Sequence, residues 1–384
     1  MKIRFICTNV NSGSCGVGDT TNRLALELSD LGHEVQIFAT HDKFIKDTIT
    51  DSIISKRKSL VKRYRFPRCK PNAWLDFMLS IKDHDNWLYS YQFPGFYHYH
   101  FKGLPLSTWG TIKSALKLTL KLHVMVHETW LVNDPSVQLS KLGIKNILRK
   151  KIRSSIGYIQ RKSLGGWLKT LPSAIITTSN HAYAVMLRRE GVEVSLLSIP
   201  STISKDSREQ GWLDCKLTQW VGDKPFLVGI FGTIWEDFNP SCFLEKLCDQ
   251  LGRDDRSCIL VIVGHTSSRV NSLIAQLNKL KIKNFNTLVL GPQTEARVAD
   301  FLQTIDLGVS TNRPSIVEKS SSTLTMAEFG LPVVVLGNSD EASVQVRMTS
   351  RYIFLNHDDD FDLAMFKKAV FSIQLNRLPI NFLF

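Results

Sequence analysis

The sequence predicts an α/β protein built from two doubly wound, Rossmann-like parallel-sheet domains, and three observations carry that expectation. Short, continuously apolar runs recur along the chain, each paired with a segment whose apolar residues fall at helical spacing, as parallel strands buried on both faces require. The alternation lapses once, between Pro200 and Pro225, into polar, charged and Trp-containing sequence without clear periodicity, and then resumes. The length of 384 residues suits two domains better than one. The expected division is an N-terminal domain over 1–200, a linker over 201–224 and a C-terminal domain over 225–384.

The opening run Lys2–Thr8 is apolar and reads as a strand. A loop of small residues follows from Asn9 to Asp19, and then Leu24, Leu28 and Leu31 mark a helix that Gly32 closes as a C-cap. Glu34–Thr40 is the next strand, so the first unit is βαβ. Further strands are expected at Trp87–Gln92, Leu122–Val126, Ala174–Thr178 and Val194–Ile199, with helices near Ser107–Leu120 and His181–Glu190. In the second domain strands are expected at Phe226–Phe231, Ile259–Val263, Thr287–Leu290, Leu307–Ser310 and Pro332–Leu336. Helices near Pro240–Leu251, Ser268–Leu280, Glu295–Ile305 and Ser322–Phe329 alternate with them.

The seven cysteines are odd in number, scattered and without a C-x-x-C pair, which argues for reduced thiols and against a disulfide framework. No run reaches the roughly eighteen apolar residues of a spanning helix, and Met1–Thr8 lacks the form of a signal peptide. The expected location is therefore cytoplasmic. Charge is divided unevenly: residues 1–172 hold 27 Lys and Arg against 12 Asp and Glu, a net of +15, whereas the remainder nets −2. Between Lys56 and Lys70 stand eight basic residues and no acid, interleaved with Leu60, Val61, Tyr64 and Phe66; a second basic run spans Lys145–Lys162. Such runs suit an anionic partner: a phosphorylated ligand, single-stranded nucleic acid read by stacking, or an anionic membrane surface.

Two loops carry candidate binding chemistry. The first includes Gly16 and Gly18 between a strand and a helix, where exposed amides and the helix dipole favour an anion. It lacks the G-x-G-x-x-G dinucleotide fingerprint. In the second, the strand Leu307–Ser310 leads through Glu318 and Lys319 to Ser321, Ser322 and Thr323 at a helix start. A cation and hydroxyls beside free amides suit a diphosphate. No metal-ligand cluster and no Ser-His-Asp order is evident, so neither metal nor other cofactor is expected.

The turn Gly16–Asp19 with the helix start Arg23–Ala25 and the segment Gly32–Val35 resembles the N-terminal domain of GT-B glycosyltransferases, particularly family 4. Other segments similar to that family follow in its order: Tyr91–Pro94 with Lys102–Pro105, Val126–Trp130, Thr178–Asn180, Ile199–Ser201, Gly229–Thr233 and Gly330–Val334. The resemblance implies a retaining transferase acting in a cleft between its domains. The C-terminal domain would hold a nucleotide-diphosphate sugar through Gly232, Thr233 and the serine loop. The N-terminal domain would bind a glycan or lipid-linked acceptor at the membrane in cell-surface polysaccharide or lipopolysaccharide synthesis, making nucleic acid an unlikely partner. It also implies that His127 faces the donor sugar and that Glu318 approaches the sugar hydroxyls. The chain departs from the family in two places. The glutamate pair eight positions apart is replaced by Val317 and Thr325, with Glu318 and Glu328 nearby, and the basic pair after the first strand of the second domain is missing. Lys319 is expected to supply that charge instead. A sugar-nucleotide epimerase and a non-catalytic nucleotide-sugar or nucleic-acid binding module are the rival classes for this fold.

Overall fold

The computed structural model describes residues 1–11, 15–55, 57–70, 72–96, 107–131, 144–171, 173–201, 203–220, 225–235, 238–253, 255–337 and 352–355. The chain divides into two compact units, Met1–Pro200 and Ser201–Phe384.

In the first unit β1 (Lys2–Cys7), α1 (Gly16–Asp30) and β2 (Glu34–Asp42) form the expected βαβ opening. Gly32 ends α1 with φ +86° and donates its N–H to Ser29 O at 3.0 Å, a conformation that glycine adopts without the Cβ clash. β5 (Leu88–Phe93), α3 (Ser107–Leu116), β6 (Lys121–Val126), α4 (Ile144–Lys169), β7 (Ile175–Thr178), α5 (His181–Arg189) and β8 (Ser195–Leu196) continue the alternation. Between β2 and β5 lie β3 (Ile49–Ile54), β4 (Leu60–Pro67) and α2 (Ala73–Ser80). The sheet order is β3-β4-β2-β1-β5-β6-β7-β8, parallel except for β3 against β4. One face of the sheet carries an aromatic core in which Trp109 of α3 meets Trp167 of α4 edge-on at 5.1 Å, with Phe93 and Phe96 alongside. α1 covers the other face through Leu24, Ala25 and Leu28 against Phe5, Cys7 and Ile37.

The basic run Lys56–Lys70 was expected to present its charge outward. β4 instead pairs Arg63 with Asp51 through two bonds of 2.6 and 2.8 Å and buries Arg65 against Asp42 at 2.6 and 2.8 Å. Strand alternation aims these two arginines at carboxylates that lie far off in sequence, on β2 and β3, so only part of the run faces solvent.

In the second unit β9 (Phe226–Phe231), α7 (Ser241–Gly252), β10 (Cys258–Val263), α8 (Ser268–Leu280), β11 (Phe285–Gly291), α9 (Glu295–Thr304), β12 (Leu307–Ser310), α10 (Ser321–Glu328), β13 (Val333–Leu336) and β14 (Tyr352–Leu355) form an all-parallel sheet of order β11-β10-β9-β12-β13-β14. Residues 204–220, within the segment expected as a linker over 201–224, pack on this unit. They contain the short helix α6 (Trp212–Leu217), whose Trp212 and Leu213 join the core beside Phe301 and Leu302. Asp300, fully buried on α9, accepts N–H bonds from Gly211 and Leu213 and a charged bond from Arg208 at 2.7 Å. A carboxylate that organises this segment from about ninety residues away leaves no periodic signal within it.

Candidate functional site

In a doubly wound sheet the crevice for a ligand opens at the carboxyl ends of the strands where the winding reverses. In the second unit that point lies between β9 and β12. Thr311, just past β12, donates its hydroxyl to Thr233 O, just past β9, at 2.7 Å, so the two strand ends are latched together. Gly232 holds φ +102°, and a Cβ there would stand 3.0 Å from Ser322 Cβ. This glycine is required both by its backbone angle and by the closeness of the α10 N-terminus. Gly264, beyond β10, supports the same corner, since a Cβ on it would meet Gly232 O at 2.3 Å.

Pro314–Lys319 forms a 3-10 segment, and Ser320 is the N-cap of α10. The Ser320 hydroxyl accepts from Thr323 N at 3.3 Å and from Asn312 Nδ2 at 2.7 Å, and Thr323 Oγ1 lies 2.8 Å from both Ser310 and Ser320. Thr323 is therefore fully buried and spent on the cap; it supports the loop instead of presenting itself to a phosphate, as the sequence reading had it. Ser321 and Ser322 remain half-buried at the helix start, and Glu318 and Lys319 are half-buried at the end of the 3-10 segment. Gly232 and Ser322 thus stand against one another, with Thr233 bonded to Thr311 beside them, while Glu318, Lys319 and Ser321 follow one another in the segment that leads into α10. Glu328 lies at the far end of α10 and accepts the Ser201 N–H at 3.0 Å, a tether away from this edge.

In the first unit winding reverses between β1 and β5. Gly16 begins α1 with open space where a Cβ would stand, whereas Gly18 is buried, and a Cβ there would fall 2.2 Å from Asn9 O. Gly18 is thus a packing glycine that lets the first turn of α1 lie on the backbone after β1. Ser12, Gly13 and Ser14 of this loop lie outside the described residues. Arg65 Nη2 donates to Asn11 Oδ1 at 2.7 Å, which ties the loop to the Asp42–Arg65 pair. Burial raises the Asp51 carboxyl, but bonds from Arg63 and Arg65 outweigh it and hold it below the ordinary value.

His127 stands immediately after β6, 8% exposed, with its N–H on Phe93 O at 3.0 Å. Its Nε2 lies 2.9 Å from Gln92 Oε1, and because a carbonyl oxygen only accepts, Nε2 carries the proton. Gln92 Nε2 donates to Ser90 Oγ at 2.8 Å. Ser90 Oγ meets His123 Nδ1 at 2.8 Å, His123 Nε2 meets Thr177 Oγ1 at 2.8 Å, and Thr177 gives its hydrogen to Met125 Sδ at 3.0 Å. That last donation makes Thr177 the acceptor from His123 Nε2–H, leaving His123 Nδ1 to accept from Ser90. The chain runs one way from His127 to Met125 and needs His123 neutral; burial pushes this imidazole down to about 4. Period-two placement on paired strands creates it, since Ser90 is in register with His123 and Met125 with Thr177. Sequence reasoning missed Ser90, His123 and Thr177, although polar residues at alternate positions of otherwise apolar strands were a usable signal.

No protein-family model matches the chain, and no curated protein matches it. Solved structures do. HepE from Anabaena in complex with UDP aligns at a TM-score of 0.52 and 14% identity, covering 97% of this chain and 91% of that one. A glycosyltransferase from Rickettsia africae aligns at 0.53 and 15%, covering 97% and 88%. TarM aligns at 0.54 and 9%, covering 97% and 92%. The fold is that of GT-B glycosyltransferases. Among the described residues no helix is long and apolar enough to cross a membrane.

Proposed function

We propose that this chain is a glycosyltransferase that moves a sugar from a uridine-diphosphate sugar to a glycan or lipid-linked acceptor in cell-surface polysaccharide synthesis. The observation that carries the reading is the corner at the β9–β12 reversal, where Gly232 brings bare backbone against the α10 start beside Lys319. Free amides at a helix N-terminus and a neighbouring ammonium together favour a diphosphate. HepE, of the same fold, binds UDP and UDP-glucose. In this reading Lys319 and the Ser321 and Ser322 region carry the phosphate charge without a metal, Glu318 approaches the sugar hydroxyls, and His127 faces the transferred sugar. Configuration is retained, and an oxygen of the departing diphosphate takes the acceptor proton, so no protein nucleophile is required.

The acceptor side is proposed to meet an anionic membrane from the cytoplasm. α4 supports this, because exposed Ile152, Tyr158 and Ile159 lie between Lys151 and Lys162, a mixture that dips apolar groups into a lipid interface under basic cover. Calorimetry with UDP and with uridine tests the donor site. Lys319→Ala is expected to weaken UDP by about ten- to a hundredfold, the loss of one charge-assisted contact, while leaving uridine nearly unchanged. Equal UDP affinity in both proteins overturns the assignment.

A further inference from the structure

A cavity of about 260 Å³ lies wholly within the first unit, lined by Gly95, Glu128, Trp130, Arg153, Gln160 and Tyr183 among others. It is a built site. Gly95 has φ +99°, and a Cβ there would stand 2.8 Å from Glu128 Oε2, so the wall at β5 must be glycine for the carboxylate to occupy its place. On the opposite wall α4 sits directly on the segment after β6. Leu131 N donates to Gln160 Oε1 at 2.9 Å, and a Cβ on Gly157 would fall 2.2 Å from Leu131 O. Arg153, Gly157, Gln160 and Leu164 follow one another at spacings of four, three and four, a single stripe of the helix. The last three are buried, and Arg153, itself exposed, lines the cavity at the end of the same stripe. Among the described residues Arg153 makes no ion pair.

The lining is specific in its chemistry. A carboxylate only accepts hydrogen bonds and therefore asks for hydroxyl donors. A guanidinium asks for a planar or tetrahedral anion, which it grips with two N–H groups. Trp130 and Tyr183, each an aromatic body with a polar tip, line the same space. An apolar ligand would use neither charged group, and a bare anion would meet only Arg153. The volume of about 260 Å³, a little under the roughly 300 Å³ at which small-molecule sites begin, suits one ring. We infer that this cavity binds a single saccharide unit bearing a carboxylate or phosphate, its hydroxyls on Glu128 and its anionic group on Arg153. That the ligand is a sugar rests on the glycosyltransferase reading; the demand for an anion together with hydrogen-bond donors rests on the cavity itself.

The test is calorimetric titration of the full chain with glucuronate, glucose 6-phosphate, methyl glucoside and inorganic phosphate, with UDP in parallel. At least one of the two anionic sugars is expected to bind, at least tenfold more tightly than methyl glucoside or phosphate. Glucuronate alone assigns a carboxylate and glucose 6-phosphate alone a phosphate; either supports the site. Arg153→Gln is expected to bring the anionic sugar down to the level of the neutral one, with Arg153→Lys intermediate. Glu128→Gln is expected to weaken the anionic sugar and not phosphate. UDP binding should be unaltered by all three substitutions. Absence of binding by both anionic sugars, binding of methyl glucoside as tight as theirs, or wild-type affinity in Arg153→Gln overturns the inference. Failure of UDP to bind while the sugars still do overturns the donor-site reading and leaves this cavity assigned.

Discussion

Acidification from about pH 8 to about pH 5 is expected to cost this protein about 2 kcal/mol of stability through His123 alone. In the unfolded chain the imidazole takes up its proton near 6.5, whereas in the folded protein burial delays protonation to about 4. Between those values the unfolded state binds more protons than the native one, so stability falls as the pH falls through the window. The full effect, reached below the lower value, is about 3 kcal/mol, of which about two thirds is expressed at pH 5. The geometry sets the direction independently. Protonating His123 Nδ1 removes the lone pair that accepts from Ser90, and with it the one-way order that fixes Gln92 and the proton on His127 Nε2. The assay is urea unfolding of the whole chain at both pH values, in the wild type and in His123→Gln, which cannot titrate. The difference between the two pH values is expected to be about 2 kcal/mol smaller in the variant, whatever the other histidines contribute. Imidazole nitrogen NMR should show His123 neutral with its proton on Nε2 at pH 5. An identical pH dependence in the two proteins, or a charged His123 at pH 5, refutes the reasoning.

Replacing Arg65 by Met leaves the fully buried Asp42 without its two charged bonds and is expected to destabilise by about 3–5 kcal/mol in chemical denaturation. The additional change Asp42→Leu is expected to restore part of the loss. Gly232→Ala forces a side chain into φ +102° and against Ser322; a loss of about 1–2 kcal/mol in stability is expected, with weaker UDP binding in the same titrations. His127→Ala is expected to lower turnover of a sugar donor more than affinity for UDP, and Gln92→Leu, which removes its acceptor, should lower turnover in the same sense; full activity in both makes the histidine structural.

Most of the strand and helix order was legible because both sheets are mainly parallel and buried, so such strands announce themselves as apolar runs and the helices between them by their spacing. β3, β4, α2, α4, α6 and β14 were not anticipated, and for β4 and α6 the reason is physical. β4 is amphipathic with arginines, and its pairing depends on Asp42 and Asp51 across the sheet, while α6 is too short to show a period and is held by Asp300. The serine loop was found from its residue types, a cation and hydroxyls before a helix. Which of those hydroxyls face outward was not readable, since Ser310, Asn312 and Ser320 decide it by turning Thr323 inward. His127 was placed by its strand end, but its protonated nitrogen follows from Gln92 and, through Ser90, from His123 and Thr177, which three strands bring together in register. What the sequence determined by itself is the two-domain parallel α/β plan and the loops where ligands approach, because hydrophobic periodicity and glycine are local signals. What only the tertiary structure decided is which charges are spent on one another and which face a cavity, because a hydrogen bond or ion pair between residues eighty positions apart has no counterpart in local pattern.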